Sequence, residues 1–208
     1  MAKIKFFQKG ITLIELLIGL SIFLLVIGGA TRVFLVNLKS QRIILAEQLL
    51  LDQANYSLEY MSRALRMAKK ELNCEDPTDS TTCSADNSPY CLTSMGYGYN
   101  YEITQGEKRI RFINPMRGYA CQEFYWDENE NMLKEEIIKL PSGTPIAAVP
   151  LLSERIWVES LKFKIFGNSQ DDNSQPKVTI KIELEIPEEN LKLNIQNTIS
   201  QRDLDVEY

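Results

Sequence analysis

The 208-residue sequence contains no histidine. Histidine is the side chain that proteins use most often as a general base and as a metal ligand near neutral pH, so its absence removes any Ser-His-Asp arrangement. The chain also has no Gly-rich phosphate-binding loop. We therefore expect no enzymatic activity, no catalytic residue, no cofactor and no bound metal.

Positive charge is also in short supply. The chain has 23 Lys and Arg against 28 Asp and Glu, which gives a formal net charge of -5. Three of the cations, Lys3, Lys5 and Lys9, precede the first apolar run, so the remainder is more acidic still. Because nucleic-acid binding needs clustered cations to neutralise phosphates, we do not expect nucleic acid as the main partner.

No proline or glycine interrupts residues 30–72. The apolar residues in the second part of this stretch recur mostly at spacings of three or four, which is the pattern of one helical stripe. They are Ile43, Leu50, Ala54, Leu58, Met61, Leu65, Ala68 and Leu72. The sequence predicts one helix from about Thr12 to about Glu71, apolar all round over residues 11–38 and amphipathic over residues 39–72.

The apolar run that begins at Ile11 is long enough to cross a bilayer, since residues 11–31 extend over roughly 32 Å as a helix. It fits a secretory signal peptide, a plain single-pass anchor, or a secreted subunit that is first held in the membrane. Glu15 lies near the start of the run, and a carboxylate in hydrocarbon costs roughly 2.5–3.5 kcal/mol. Neither a signal peptide nor a plain anchor needs a carboxylate at this position. In all three, the lysines stay cytoplasmic and the bulk of the chain lies outside.

After residue 97 the apolar period changes from helical to alternating. Residues 97–103 and 109–113 flank a turn that contains glycine, which predicts a hairpin. Residues 119–126 and 132–140 flank an acidic turn and predict a second one. The Pro-rich residues 141–152 are expected to form an irregular connection.

Three further segments alternate as strands: residues 155–166, 177–186 and 191–200. In the first of them the alternation slips around Glu159 and Ser160, which predicts a bulge or a break in the strand. Residues 177–186 alternate cleanly, with the apolar side chains on one face and lysine and glutamate on the other, and residues 191–200 follow with Leu191, Leu193, Ile195 and Ile199 as the apolar positions.

The predicted fold class is α+β, with the long N-terminal helix packed on an antiparallel β-sheet of about six or seven strands. Residues 73–96 are dense in turn formers and are expected to be a Cys-containing loop. Residues 97–208 are expected to be the β-domain.

The segment KGITLIE, residues 9–15, resembles the class III signal of type IV prepilins and pseudopilins. In that family a short basic leader ends in glycine, and an aromatic or apolar residue, T-L-[IV]-E and an apolar helix follow. The resemblance implies that residues 1–10 are a leader, that a prepilin peptidase cuts after Gly10, and that Ile11 is then N-methylated. The family usually has Phe where this chain has Ile11. Glu15 would pair with the new α-amino group, since a buried charge must be paired.

The size of the C-terminal part resembles the larger minor pilins and pseudopilins, the W-like and J-like subunits, in which several hairpins follow the helix. The closing segment NTISQRDLD, residues 197–205, is similar to the last strand of such proteins. Arg32 stands near the position where major pilins often carry a helix-breaking proline. The resemblance therefore implies a minor subunit of a type IV pilus, a competence pseudopilus or a type II secretion pseudopilus, with a pilin-like fold.

The same resemblance implies the partners and the location. The partners would be other pilin or pseudopilin subunits, the prepilin peptidase, the inner-membrane assembly machinery and membrane lipid. The chain would be a single-pass protein of the inner (cytoplasmic) membrane with a short cytoplasmic leader, and would later join a pilus or pseudopilus.

The four cysteines are Cys74, Cys83, Cys91 and Cys121. An even number outside the membrane predicts disulfides, and three pairings are possible. We predict Cys74–Cys83 as a clip within the loop and Cys91–Cys121 as a tie from the start of the sheet to its third strand. The second pair also resembles a recurring pair in related minor pilins. The alternatives are free thiols and a Cys₄ zinc site, which the missing C-x₂-C spacing disfavours.

Two further clusters invite a functional interpretation. Six aromatic residues could bind a ligand, but alternate strand positions favour a role in the core: Tyr97, Tyr99, Tyr101, Phe124, Tyr125 and Trp126. Five acidic residues could hold calcium, but they lack the D-x-D-x-D-G order and are more typical of a solvated turn: Asp127, Glu128, Glu130, Glu135 and Glu136. The rival function is a single-pass membrane-anchored extracytoplasmic domain whose aromatics hold a ligand. Such a protein would keep residues 1–10.

Overall fold

The computed structural model describes most of the chain: residues 10, 12–71, 91–92, 99–139, 144–168 and 174–202. The chain divides into two compact units, Met1–Leu45 and Ala46–Tyr208. The long helix contributes to both units, and each unit is described by itself.

One α-helix, α1, runs from Leu13 to Arg66 and contains 54 residues. It confirms the predicted long helix but ends before the predicted Glu71. Lys69 is already extended and forms an isolated antiparallel bridge with Ile113. The apolar spacing therefore continues past the end of the helix into a segment that pairs with a strand.

In the first unit, every described residue from Thr12 to Arg42 is exposed. Most of these side chains are large and apolar, including Phe23, Leu25 and Phe34. Within the described residues, α1 is the single helix long and apolar enough to cross a membrane, by length and composition alone. An N-terminal signal sequence would pass the same test.

In the second unit, one stripe of α1 is buried and forms part of the main core. Its apolar members are Ala46, Leu50, Ala54, Leu58, Met61, Ala64 and Leu65. Five of these residues belong to the predicted stripe, and Ala68 of that stripe is buried just beyond the helix. The stripe is covered because the inner faces of the β-strands pack on it.

The first five strands form one antiparallel sheet in sequential order. They are β1 Glu102–Thr104, β2 Arg109–Asn114, β3 Ala120–Asp127, β4 Met132–Lys139 and β5 Thr144–Pro150. The two predicted hairpins are confirmed as β1–β2 and β3–β4. The predicted irregular connection over residues 141–152 is wrong, since β5 lies within it. Pro145 and Pro150 are tolerated because β5 is an edge strand and because both prolines lie near the ends of that strand.

The last three strands form a second antiparallel sheet: β6 Trp157–Phe166, β7 Lys177–Ile186 and β8 Leu191–Ser200. The predicted bulge is confirmed, because the β6–β7 register shifts between Val158 and Ser160. Two short 3₁₀-helices, Pro115–Arg117 and Pro187–Glu189, fill the β2–β3 and β7–β8 connections.

The described residues thus form eight strands in two sheets, where the sequence predicted six or seven strands in one sheet. The α+β class is confirmed, with the helix packed against antiparallel sheets. Both sheets contribute to the main core. Fully buried members from the strands are Ile110, Phe112, Phe124, Leu133, Phe163, Val178, Ile180 and Ile186.

Candidate functional site

The first turn of α1 is held by a side-chain cap. Thr12 Oγ1 accepts a hydrogen bond from the backbone N–H of Glu15 at 3.3 Å. The Thr12 carbonyl accepts the first intrahelical bond, from Leu16 N at 3.1 Å. Threonine followed three residues later by glutamate is the spacing of a capping box. This local role of the T-L-I-E segment was not among the predictions, although its spacing signals it.

The predicted cleavage position lies directly before this cap. Gly10 is exposed and belongs to no helix or strand. A Cβ at Gly10 would meet no atom within 4 Å. Ile11, the predicted new N-terminus, lies outside the described residues, as do the leader lysines.

Glu15 is exposed in the first turn of α1. A negative charge there is favourable, because backbone N–H groups point out of a helix N-terminus. Among the described residues none forms an ion pair with Glu15. The pairing of its carboxylate with an α-amino group at Ile11 therefore stays a prediction.

An uninterrupted apolar surface follows Glu15. No Asp, Glu, Lys or Arg occurs in residues 16–31, and Arg32 is exposed at the end of this stretch. A continuous apolar surface of this size is not stable in water. It needs a cover of lipid or of other helices.

Cys91 and Cys121 form a disulfide, with an S–S distance of 2.07 Å and Cα atoms 5.2 Å apart. The bond ties the segment before the sheet to β3, as in the second predicted pair. It lies in a small buried cluster with Leu92 and Ile113, apart from the main core. The other predicted pair, Cys74–Cys83, lies outside the described residues.

A buried carboxylate accompanies the disulfide. Glu71 is fully buried, and its Oε2 accepts a hydrogen bond from Cys91 N at 3.0 Å. Its own backbone N–H donates to Tyr99 O at 2.9 Å. Arg111 Nη1 donates to Cys91 O at 3.2 Å. These bonds fasten the segment after α1 to the disulfide and to the sheet, and the sequence pattern gave no sign of them.

The aromatic cluster is divided between the core and the surface. Tyr101 and Phe124 are fully buried, and Phe112 lies against both rings. Tyr101 Oη donates to Leu65 O at 2.6 Å, and burial raises the pKa of the Tyr101 hydroxyl well above its usual value. The core interpretation is confirmed for Tyr101 and Phe124. Tyr97 lies outside the described residues.

The acidic turn between β3 and β4 is neutralised by lysines. Lys134 Nζ lies 2.7 Å from Asp127 Oδ2 and 2.6 Å from Glu130 Oε2. Lys108 pairs with Glu128. The hydrogen bond from Lys134 holds the pKa of the Asp127 carboxyl below its ordinary value. In the described part of the chain no group of three or more His, Cys, Asp or Glu residues could hold a metal ion.

The fourth acidic residue of that run has a different environment. Glu135 is buried between the sheet and α1, where Tyr60 Oη donates to its carboxylate oxygens at 2.8 and 2.9 Å. Gln122 donates to the same carboxylate, and Arg117 Nη2 donates to Tyr60 Oη at 2.9 Å. Burial, and then Glu135, raise the pKa of the Tyr60 hydroxyl. The network fastens the helix to the sheet and leaves Glu135 unavailable as a calcium ligand.

The comparisons with known proteins concern the N-terminal segment. The family model described as the prokaryotic N-terminal methylation motif matches residues 5–31. No curated protein and no solved structure matches the chain. The match supports the type IV prepilin and pseudopilin family, whose members are structural subunits rather than enzymes. It supports a pilin-like, membrane-anchored protein that is processed at its N-terminus.

Proposed function

We propose that this chain is a minor pilin or pseudopilin, a structural subunit of a type IV pilus, a competence pseudopilus or a type II secretion pseudopilus. The observation that carries the proposal is the methylation motif over residues 5–31, together with the first part of α1, which is exposed on all sides up to Arg42. The chain is held in the inner membrane, loses residues 1–10, is N-methylated at Ile11, and joins the fibre through the apolar part of α1.

The helix start supports cleavage after Gly10. A protease needs its scissile peptide bond outside regular structure and open to approach. The Thr12 cap begins the helix at Leu13, and Gly10 is exposed just before it. Gly10, the residue before the proposed cut, thus lies outside the helix and is open to a protease.

Glu15 supports assembly through its charge. Transfer of α1 from lipid to a bundle of similar helices gains little from the hydrophobic effect, because lipid tails are as apolar as leucine. Packing and polar contacts must then favour the bundle. Cleavage creates a cationic α-amino group at Ile11, and a carboxylate one helical turn further on can pair with that group in a neighbouring subunit.

The C-terminal part supports a minor rather than a major subunit. The α1 helix is uninterrupted and carries Arg32 where major pilins often have proline. Two antiparallel sheets follow α1, which agrees with the several hairpins that follow the helix in the larger minor subunits. The partners in this proposal are other pilin-like subunits, the prepilin peptidase, the assembly machinery of the inner membrane and lipid.

The processing step is tested by expressing the full chain with and without a prepilin peptidase. We expect a shorter form only when the peptidase is present. The variant Gly10→Leu, which places a branched side chain beside the scissile bond, should remain full length, and Gly19→Leu is its matched control. A chain that stays full length with an active peptidase would instead favour a membrane-anchored ligand-binding domain.

A further inference from the structure

The two sheets of the described chain have four edge strands: β1, β5, β6 and β8. An edge strand presents a row of backbone N–H and C=O groups that have no ladder partner and can pair with a strand of another chain. Proteins protect such edges with a short strand, a proline, a bulge or a covering segment. The four edges differ in which of these protections they have.

The two edges of the five-stranded sheet are both protected. β1 has only three residues. β5 carries Pro145 and Pro150, and its register with β4 shifts between Glu135 and Ile137. Neither strand therefore offers a long and regular row of backbone groups to a partner.

The β6 edge of the three-stranded sheet is covered by the other sheet. Val158 N donates to Asn131 O, and Phe163 N donates to Glu107 O, each at 2.8 Å. These two acceptors lie in the turns of the β3–β4 and β1–β2 hairpins. Backbone groups at the outer edge of β6 are thus already paired within the chain.

The β8 edge has none of these protections. The ten residues of β8 pair with β7 without a register shift, and they include no proline or glycine. The single charged residue of β8 is Lys192, whose Nζ lies 2.8 Å from Glu185 Oε2 on β7. Among the described residues, no backbone hydrogen bond reaches the free edge of β8. After the strand, Arg202 N donates to Arg66 O at 2.9 Å, so the chain leaves β8 towards the end of α1.

The side chains of β8 indicate what can be added to it. Leu191, Leu193 and Ile195 are partly buried and pack against the main core. An added strand would cover this apolar row with every second side chain and would leave the others in water. A matching segment therefore alternates apolar and polar residues. The outward positions of β8 are polar and exposed: Lys192, Asn194, Gln196, Thr198 and Ser200.

A second copy of the chain is a poor occupant of this edge. Two β8 strands that share one inner face must pair antiparallel, through a two-fold rotation about the normal to the sheet. A helix packed on a sheet lies along the sheet, so this rotation reverses the direction of α1. The N-terminal ends of the two α1 helices would then point in opposite directions, and a single membrane could not anchor both.

We propose that β8 receives an extended segment of a different protein, which adds a fourth strand to the three-stranded sheet. The backbone of β8 supplies the hydrogen bonds, and the partly buried row selects apolar side chains at alternate positions of the segment. This contact is separate from fibre assembly through α1. The proposal depends on the membrane anchor only where it excludes a second copy, and it does not depend on cleavage after Gly10.

The first test uses the full chain in detergent and a labelled peptide with the sequence of β7, KVTIKIELEI. β8 already accepts this sequence as a neighbour, with Ile182 opposite Ile195 and Leu184 opposite Leu193. The control peptide has the same composition, but its apolar and charged residues are grouped rather than alternating. We expect saturable binding of the first peptide, measured by fluorescence anisotropy against empty micelles, and no saturable binding of the second.

A pair of edge variants locates the binding. Leu193→Lys places a charge in the partly buried row of β8. Ile146→Lys places the same charge on the protected edge strand β5, where Ile146 is 43% exposed. We expect the affinity for the β7 peptide to fall about tenfold or more with the first change, since strand addition would bury the ammonium group. The affinity should stay unchanged with the second change.

A cross-linking measurement uses two exposed positions, so that the core is left unchanged. Asn194→Cys lies on β8 and Lys164→Cys lies on β6, each in a chain that also carries Cys74→Ser and Cys83→Ser. The peptide carries cysteine in place of Glu183, the residue opposite Asn194 in the β7–β8 pairing. We expect a disulfide between the peptide and the Asn194 variant and none with the Lys164 variant.

Three results would overturn the proposal. They are the absence of saturable binding of the alternating peptide to the unchanged chain, equal affinities of the Leu193 and Ile146 variants, and equal cross-linking of the Asn194 and Lys164 variants. A disulfide-linked dimer of the Asn194→Cys chain in membranes would also overturn it, since a second copy would then occupy the edge.

Discussion

The two parts of α1 have the same backbone and opposite environments. Leu25, in the first unit, is 77% exposed, whereas Leu65, near the end of the same helix, is fully buried. Leu25 lies in a run without charged residues, whereas Leu65 lies between Arg63 and Arg66 on an amphipathic part of the helix. The buried part is explained by the protein's own sheets, and the exposed part needs a cover from outside the chain. The exposed part of α1 therefore bears on the function of the chain, and the buried part bears on the stability of the second unit.

The largest effect is expected at Glu15, which tests the exposed part. Glu15→Ala should still be processed after Gly10, but its incorporation into fibres should fall by a hundredfold or more, since an unpaired buried charge costs roughly 3–5 kcal/mol. Incorporation is measured as the amount of the subunit in sheared fibres relative to the amount in membranes. Glu47→Ala, an exposed glutamate further along the same helix, is the control. Normal incorporation of the Glu15 variant would disprove the ion pair.

The next effect contrasts the two leucines directly. Leu65→Ala should lower the free energy of unfolding of the second unit by roughly 2–5 kcal/mol, because it opens a cavity in the main core. Leu25→Ala removes the same atoms from an exposed position and should leave the unfolding of that unit unchanged. Both are measured by denaturant unfolding of the full chain in detergent. Equal losses for both variants would contradict the division of α1 into a covered and an uncovered part.

Reduction of the disulfide should have a somewhat smaller effect on the second unit. The Cys91–Cys121 bond joins residues 30 apart in the sequence, and its loss should lower the free energy of unfolding by roughly 2–4 kcal/mol. The double variant Cys91→Ser with Cys121→Ser is compared with the unchanged chain, both under oxidising conditions. An unchanged unfolding midpoint would contradict this expectation. The hydrogen bonds of Glu71 would then be sufficient to hold the segment in place without the disulfide.

The smallest effect concerns Tyr101. Near neutral pH Tyr101→Phe should lower the free energy of unfolding by about 1 kcal/mol, since the hydrogen bond to Leu65 O is lost. Burial raises the pKa of Tyr101 in the folded state, so its contribution is fully present below the unfolded pKa of about 10 and is lost at higher pH. The difference between the variant and the unchanged chain should therefore shrink above that pH. Tyr56→Phe, at an exposed position of α1, is the control and should show no such trend.

The features that the sequence predicted are local ones. The KGITLIE segment has a fixed spacing along the chain, so it can be interpreted without knowing the fold. The strict alternation over residues 177–186 predicted β7, and the slip at Glu159 and Ser160 predicted the bulge of β6. Each signal lies within a single helix or strand.

The features that the sequence failed to predict depend on distant contacts. β5 was missed because Pro145 and Pro150 favour irregular structure, and only its place at the edge of the sheet makes them acceptable. The division into two sheets is not visible in any one strand. Glu135 was expected to lie in a solvated turn, and no environment was predicted for the side chain of Glu71. Contacts with residues distant in the sequence bury both of them.

The measurement that tests the central claim most directly is the intact mass and the N-terminal residue of the protein recovered from its native membranes. The account predicts a chain that begins at Ile11 and carries about 14 Da for one added methyl group. A chain that begins at Met1 or Ala2 in cells with an active prepilin peptidase would contradict it. Glu15 would then have no α-amino partner, and the exposed part of α1 would be a plain membrane anchor.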